Sequence, residues 1–356
     1  MKNSLIIFCF FLLSCSQAKD IIKVEYTPSS GVELLSSFVF EDVEIIPIYD
    51  NVFSTWGRLV AKNGLYYISG DDEKVHLFDA SGKSLNSVGE VGRGPGEYAG
   101  FNSLTIEDNG DISIYSSAGI LYTYSSDGRF LGSTEYPVNS QEFAKANGFN
   151  YHYFGNGSGQ AYQLYISDTQ NHIIDSCLAA VNATSLELGV VFSEYGNALN
   201  LCLPDDGDIY RLVDGKADLS YSFNFGMYKF SPAYYRSSSM EETFAYIQSS
   251  ANAFKSKFLE NQSHAILEVC VFDGPQELDR ILYGILDKAT SIWEWHYMNE
   301  GDFMDFYNLK YIDDSYLYFL AYPDMIIDAN IAERFPALGA LSEDCAMVIL
   351  KCKLAT

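Results

Sequence analysis

Two kinds of turn alternate along this chain, each recurring at the spacing of a four-strand repeat. An Asn-Gly or Asp-Gly turn leads into an alternating Tyr, Ile and Leu strand at Lys62 to Ile68, Asp108 to Tyr115 and Asp205 to Tyr210. Ile312 to Tyr318 has a related turn. Such turns are the strongest short-range hairpin signal. A second turn follows further along each unit, at Asp79 to Lys83, Ser126 to Phe130 and Val213 to Lys216. Gly82 and Gly128 mark a repeat of roughly 45 residues, which fits a propeller blade of four short strands.

With 356 residues, 48% hydrophobic and 15% aromatic, the chain can fill a large all-β core. The formal net charge of -25, with 22 Lys and Arg, argues against nucleic acid, which needs a basic surface. Lys2, the apolar run Leu5 to Leu13 and the tetrad Leu12-Leu13-Ser14-Cys15 read as an export signal over residues 1–14, too short to span a bilayer. The tetrad resembles a bacterial lipobox. That resemblance implies diacylated Cys15 as the mature N-terminus, residues 15–35 as lipidated Cys and tether, and contact with membrane through the lipid alone. The absence of Asp after Cys15 implies, by the same resemblance, an outer-membrane lipoprotein on its periplasmic or cell-surface side. The five cysteines beyond Cys9 and Cys15 are scattered in apolar runs, without metal-ligand spacing, and read as small buried hydrophobes.

Val88 to Phe130 resembles an NHL-type repeat. Behind a lipobox, Gly92-Arg93-Gly94-Pro95-Gly96-Glu97-Tyr98 is similar to the six-bladed β-propeller lipoproteins of Gram-negative bacteria. Ser116-Ser117 stands where that repeat usually has Asp. Counting units starts blades at about Trp56, Phe101, Phe149, Leu199, His264 and Phe306, with seven blades the competing count. The expected fold is an all-β six-bladed propeller of four-stranded antiparallel blades over residues 36–356. The strand Phe38 to Ile46 lies ahead of blade one and is expected to complete the last blade. A helical insertion is expected over 232–262. Ser239 with Glu242 forms a capping box, and Phe244, Ile247, Ala251, Phe254 and Phe258 fall on one helical face.

In such a propeller the turns between first and second strands lie on one face, with inter-blade loops and inner-strand starts on the other. Asp108, Asp111, Asp205, Asp206 and Asp208 are read as turn formers on the first face. The ligand candidates on the second are Trp56, Arg58, Arg93, Glu97, Tyr98, Asn102, His152, Asn200, His264 and Tyr307. Their rings and amides would suit a sugar or a peptide. His152 and His264 are expected to meet at the funnel only if this register holds. Arg93 is read as pairing with Glu97 or a loop carbonyl to hold adjacent blades. No H-E-x-x-H or G-x-S-x-G motif is present, and no catalytic residue, metal or cofactor is assigned. The favoured reading is a non-catalytic cell-envelope lipoprotein binding a small molecule (carbohydrate or peptide) or a protein partner. Alternatives are a propeller hydrolase or lyase on carbohydrate or lactone, and a structural subunit of an envelope complex.

Overall fold

Several of the hairpins that build the fold close on local turn chemistry. Asn63 and Gly64 have φ of 55° and 75°, Asn147 and Gly148 of 50° and 80°, Asp214 and Gly215 of 50° and 71°, so consecutive left-handed residues close the hairpins. The computed structural model describes residues 22–25, 32–33, 40–50, 54, 57–181, 190–272, 278–297, 308–323, 341 and 344–354. These strands form six antiparallel blades around a channel. Blade one runs from Leu59–Lys62 to Ser84–Val88, and blade two from Phe101–Ile106 to Phe130–Glu135. Blade three runs from Glu142–Ala146 to Ile173–Ala179, and blade four from Phe192–Tyr195 to Lys216–Asn224. Blade five runs from Asn252–Glu260 to Ile292–Tyr297. Blade six takes Asn308–Ile312, Tyr316–Ala321 and Met347–Leu354 from the C-terminal part of the chain and Phe40–Ile48 from the N-terminal part. Phe40–Ile48 pairs antiparallel with Met347–Leu354, as the sequence predicts, and joins the two ends of the chain in one sheet.

Blades three, four and five start one strand earlier than the turn count places them. Phe149, Leu199 and His264 lie on second strands. The missed inner strands, such as Glu142-Phe143-Ala144-Lys145-Ala146, carry charged and small residues and little alternation. In blade five the helix pattern also misleads. The helix spans Met240–Ser249, capped by the Ser239 side chain accepting from the Glu242 backbone N–H. It stops where the Asn252 amide donates to the carbonyls of Ile247 and Ser250, at 3.0 and 2.8 Å. Phe254 and Phe258 belong to the following strand, where a bulge between Lys255 and Lys257 turns their four-residue spacing onto opposite sheet faces. Phe254 packs with Phe230, Tyr234 and Ile247 of the insertion, and Phe258 with Tyr221 and Phe223 of blade four.

The inner strand of every blade has one edge without a strand partner. Side chains of adjacent blades supply much of what is missing. Lys62 Nζ donates to the Ile106 carbonyl at 2.8 Å and Ser103 Oγ to that of Phe143 at 3.0 Å. Glu142 accepts from the Val191 N–H at 3.2 Å, Ser193 Oγ donates to the Phe258 carbonyl at 2.6 Å, and Lys257 Nζ donates to that of Leu309. Five successive blade junctions are pinned this way, each bond meeting a backbone group that would cost about 1–3 kcal/mol if buried unpaired.

The outer edges of two blades are also covered. Ile22–Glu25 pairs parallel with Lys216–Asn224 of blade four, and Val32–Glu33 parallel with Ile292–Tyr297 of blade five. Both fall within residues 15–35, where the lipobox resemblance implies lipidated Cys and tether. Ile22-Lys23-Val24-Glu25 alternates β-branched and charged residues, and the outer strands offer unpaired backbone for it.

The sixth blade's closing strand meets blade one at Gly82 (φ +83°), where an added Cβ would lie 2.3 Å from the Pro47 carbonyl oxygen. Gly64 has a similar φ of +75° and open space around it. Gly82→Ala is expected to cost roughly 3 kcal/mol and Gly64→Ala roughly 1 kcal/mol, measured by denaturant unfolding. Equal losses would mean that closure does not depend on this contact.

Candidate functional site

Alternating strand directions put the first-to-second and third-to-fourth turns at one end of the ring and the inter-blade connections at the other. At this second end, three inner strands carry bulges. The extra residues are Asn102 in blade two, Ser256 in blade five and Lys310 in blade six. A bulge bends its strand and re-aims a side chain. Arg58, just ahead of the inner strand of blade one, donates to the Asn102 carbonyl and to Glu142 Oε1, both at 2.6 Å. The ion pair is partly shielded, with Arg58 and Glu142 side chains 19% and 11% exposed. Asn102 Nδ2 donates to the Ser140 carbonyl at 3.3 Å, so blades one, two and three are tied at the channel mouth.

Across from this bridge lie Lys257 and Lys310. Lys257 is buried and bonds the Leu309 carbonyl; its neighbour Glu268 accepts from Ser256 Oγ at 2.5 Å. Burial pulls the Lys257 ammonium below its ordinary range, opposed by Glu268. Glu142 and Glu268 are thus already hydrogen-bonded, and neither stands free as a general base. Among the described residues the mouth is ionic, with the predicted Asn102 amide beside the charges.

The predicted site residues separate. Arg58 and Asn102 are at the mouth. Tyr98 is fully buried, its hydroxyl bonded to the Glu73 carbonyl, and it anchors the loop between blades one and two. Glu97 Oε2 accepts from the Gly94 N–H at 2.7 Å and folds over Gly92 and Gly94, where a Cβ would strike it. Arg93 is exposed and pairs with neither Glu97 nor a loop carbonyl, because Glu97 turns inward to the loop's own backbone. His152 lies on the second strand of blade three, fully buried between Tyr136 and Phe143 and 3.0 Å from Ser167 Oγ; burial pushes its pKa down to about 4. His264 begins the second strand of blade five, at the opposite end of the ring, so the two histidines do not meet. Asn200 is buried within the second strand of blade four. Trp56 and Tyr307 lie outside the described residues. Among the described residues no group of three or more His, Cys, Asp or Glu is placed to hold a metal ion.

The one-strand shift also moves Asp205, Asp206 and Asp208 from first-to-second turns to the second-to-third connection of blade four, on the same end as the mouth. Asp108 and Asp111 stay in a first-to-second turn. Lys255, with a fully buried side chain, pairs with Asp206 at 2.9 Å. Asp205 accepts from Asn156 Nδ2 at 3.0 Å, and its carbonyl accepts from Tyr235 Oη at 2.6 Å, so the insertion is latched onto blades three, four and five. Burial, then the Asp206 charge, pushes the Asp205 carboxyl up to about 6. The bulge on blade five was hidden from the sequence reading, but Lys255 and Lys257 flanking Ser256 in an apolar run are its visible trace.

A family model described as "Domain of unknown function (DUF4934)" matches residues 19–351. The chain belongs to the DUF4934 family. A crystal structure of a Bacteroides fragilis protein inferred to be exported is similar to this DUF4934 chain, with a TM-score of 0.74 at 16% identity over 94% of this chain and 100% of that one. At that identity the likeness shows the fold. AztD of Citrobacter koseri (TM-score 0.42, 8% identity, 75% of this chain and 81% of that one) is a more distant likeness. So is BamB of Moraxella catarrhalis (0.33, 9%, 82% and 71%). No curated protein matches the sequence.

Two outcomes follow from this DUF4934 geometry. Arg93→Ala should change stability by less than about 0.5 kcal/mol in urea unfolding, because the side chain is exposed; a loss of several degrees in Tm would restore a docking role. Asp205, raised from an ordinary 3.8 to about 6, binds its proton more tightly in the folded state. Its contribution therefore favours folding at low pH and is lost as pH rises from about 4 through about 6. Asp205→Asn should flatten that slope and add on the order of 2 kcal/mol at pH 7. An unchanged profile would mean that the carboxyl titrates as if exposed.

Proposed function

We propose that the chain is an exported, lipid-anchored propeller that binds a ligand at the channel mouth on its inter-blade-loop end and performs no catalysis there. The observation behind this is the convergence of Arg58, Asn102 and Lys310 from three blades at one opening, two of them on bulges. A ring whose only task was structural would have little use for strand irregularities aimed at its axis. The alternative of a propeller hydrolase or lyase acting on carbohydrate or lactone has less support, since both carboxylates at the mouth are hydrogen-bonded to neighbours.

Export is supported by the charged start, apolar run and Leu-Leu-Ser-Cys tetrad ending at Cys15, and by the exported status inferred for the B. fragilis relative. No helix among the described residues is long and apolar enough to cross a membrane. With Ile22–Glu25 bound to blade four, the stretch from Cys15 to Ile22 reaches at most about 25 Å, against roughly 85 Å from Cys15 to Phe40 if the tail were loose. The tail strands thus moor the ring by its blade-four rim. A protein partner remains a second reading, favoured by Met227, Met240 and Phe244, which are 77%, 48% and 50% exposed on the insertion.

Two measurements test this reading. Cys15→Ser should shift the protein from the membrane to the soluble fraction; retention in the membrane would exclude lipid anchoring. Protein purified from its own envelope should carry a small molecule or peptide, detected by mass spectrometry, that is lost in Asn102→Trp, which fills the mouth. Identical extracts from both proteins would remove the mouth as the binding site.

A further inference from the structure

Among the described residues the charges at the mouth do not balance, and one of them pairs with no other described residue. Arg58 is matched by Glu142, which also takes the Val191 N–H. Lys257 is spent on the Leu309 carbonyl, and Glu268 on Ser256. Lys310 remains. It is half-buried, stands on a bulge that leaves it opposite no residue of the neighbouring strand, and makes no hydrogen bond or ion pair with any described residue. Among the described residues three basic side chains thus face two carboxylates at this opening, in a chain whose formal net charge is -25. Elsewhere the lysines at the channel are paired: Lys62 reaches Asp108 at 2.9 Å and Lys145 reaches Glu107 at 3.6 Å.

An ammonium group in such an enclosure is costly unless an anion accompanies it. Nothing in a rim of this composition would place it there for packing, since methionine fills the same space without charge. The partner that fits is a single oxyanion, because the unmatched charge is one. Arg58 and Lys257 flank the position and add attraction, while the Glu268 and Glu142 carboxylates hold the total low enough to exclude strongly charged polyanions. Asn102, on the bulge of blade two, stands at the same opening, its amide donating to the Ser140 carbonyl.

We infer that the channel mouth is an oxyanion site, in which Lys310 pairs with a carboxylate or monoester phosphate group of the ligand, between Arg58 and Lys257. This deepens the binding reading above and rests on it for the location of the ligand. Burial, the neighbouring Lys257 and the more distant Arg58 all depress the Lys310 ammonium well below its ordinary range, with Glu268 opposing them. Such an environment makes the charged amine costly, and an entering anion would offset that cost.

Isothermal titration of the purified protein with inorganic phosphate and, separately, with acetate tests this, with sodium chloride at equal ionic strength as the control. The wild type is expected to bind at least one of the two saturably, and the more tightly bound probe shows which oxyanion the site takes. Lys310→Met should weaken that binding at least tenfold and Lys310→Arg should retain it. Because Lys310→Met removes a charge without a partner, its Tm should equal or exceed that of the wild type, which separates lost binding from lost folding. Binding of equal strength in Lys310→Met, or none beyond chloride in the wild type, overturns the inference. Saturable binding dependent on Lys310, with no molecule recovered from the envelope-purified protein, would support the oxyanion site and count against the ligand reading alone. Recovery of a ligand lost in Asn102→Trp, with binding of phosphate and acetate indifferent to Lys310, would do the reverse.

Discussion

A propeller must solve a problem at its axis that a closed barrel does not have: every blade ends there on a strand with no neighbour. Here the unpaired backbone is answered by side chains from the blade next door, from Lys62 to the Ile106 carbonyl around to Lys257 and the Leu309 carbonyl. These bonds fix the angle between successive sheets, and the apolar clusters between blades are packed to that angle. Three of the side chains that make them, Lys62, Glu142 and Lys257, are also charged groups of the channel. Stability of the ring and the charge at its mouth therefore draw on overlapping residues, and Lys310, which pairs with no described residue, is the side chain we propose for a ligand.

The parts of the fold that were legible in the sequence are those set by local backbone chemistry. Asn63-Gly64 and Asp214-Gly215 demand left-handed conformations and so announce hairpins wherever they occur. The closing strand Phe40–Ile48 was visible because it is long and stands apart from any hairpin of its own. What hid was the inner strand of blades three to five. These strands contact the channel, so they carry Glu142, Lys145, Glu194, Lys255 and Lys257 in place of a clean alternation of apolar residues. Losing one strand per blade reversed the apparent direction of the next, which is why Asp205 and His264 were each assigned to the wrong end of the ring.

The candidate site was legible only in part for the same reason. Arg58 and Asn102 were found because blades one and two were in register. Lys310 was missed because a bulge leaves no periodic trace. The glycine-rich loop that is most conspicuous in the sequence proves to be architectural: Tyr98 is buried in it, Glu97 covers its glycines, and Phe130 packs over Gly96. A loop that must turn so sharply needs distinctive residues whether or not anything binds to it.

The anion inferred at Lys310 has its place in the opening between blades one, two, five and six. Anomalous diffraction from crystals grown with sodium arsenate and, separately, with 4-bromobenzoate reads that position directly, because the two probes carry a phosphate-like and a carboxylate oxyanion and their arsenic and bromine scatter distinctively. A peak from at least one of them is expected within hydrogen-bond distance of Lys310 Nζ, on the channel side of the blade-six bulge. Both probes found only around lysines and arginines on the outer surface, with water alone beside Lys310, would contradict the inference.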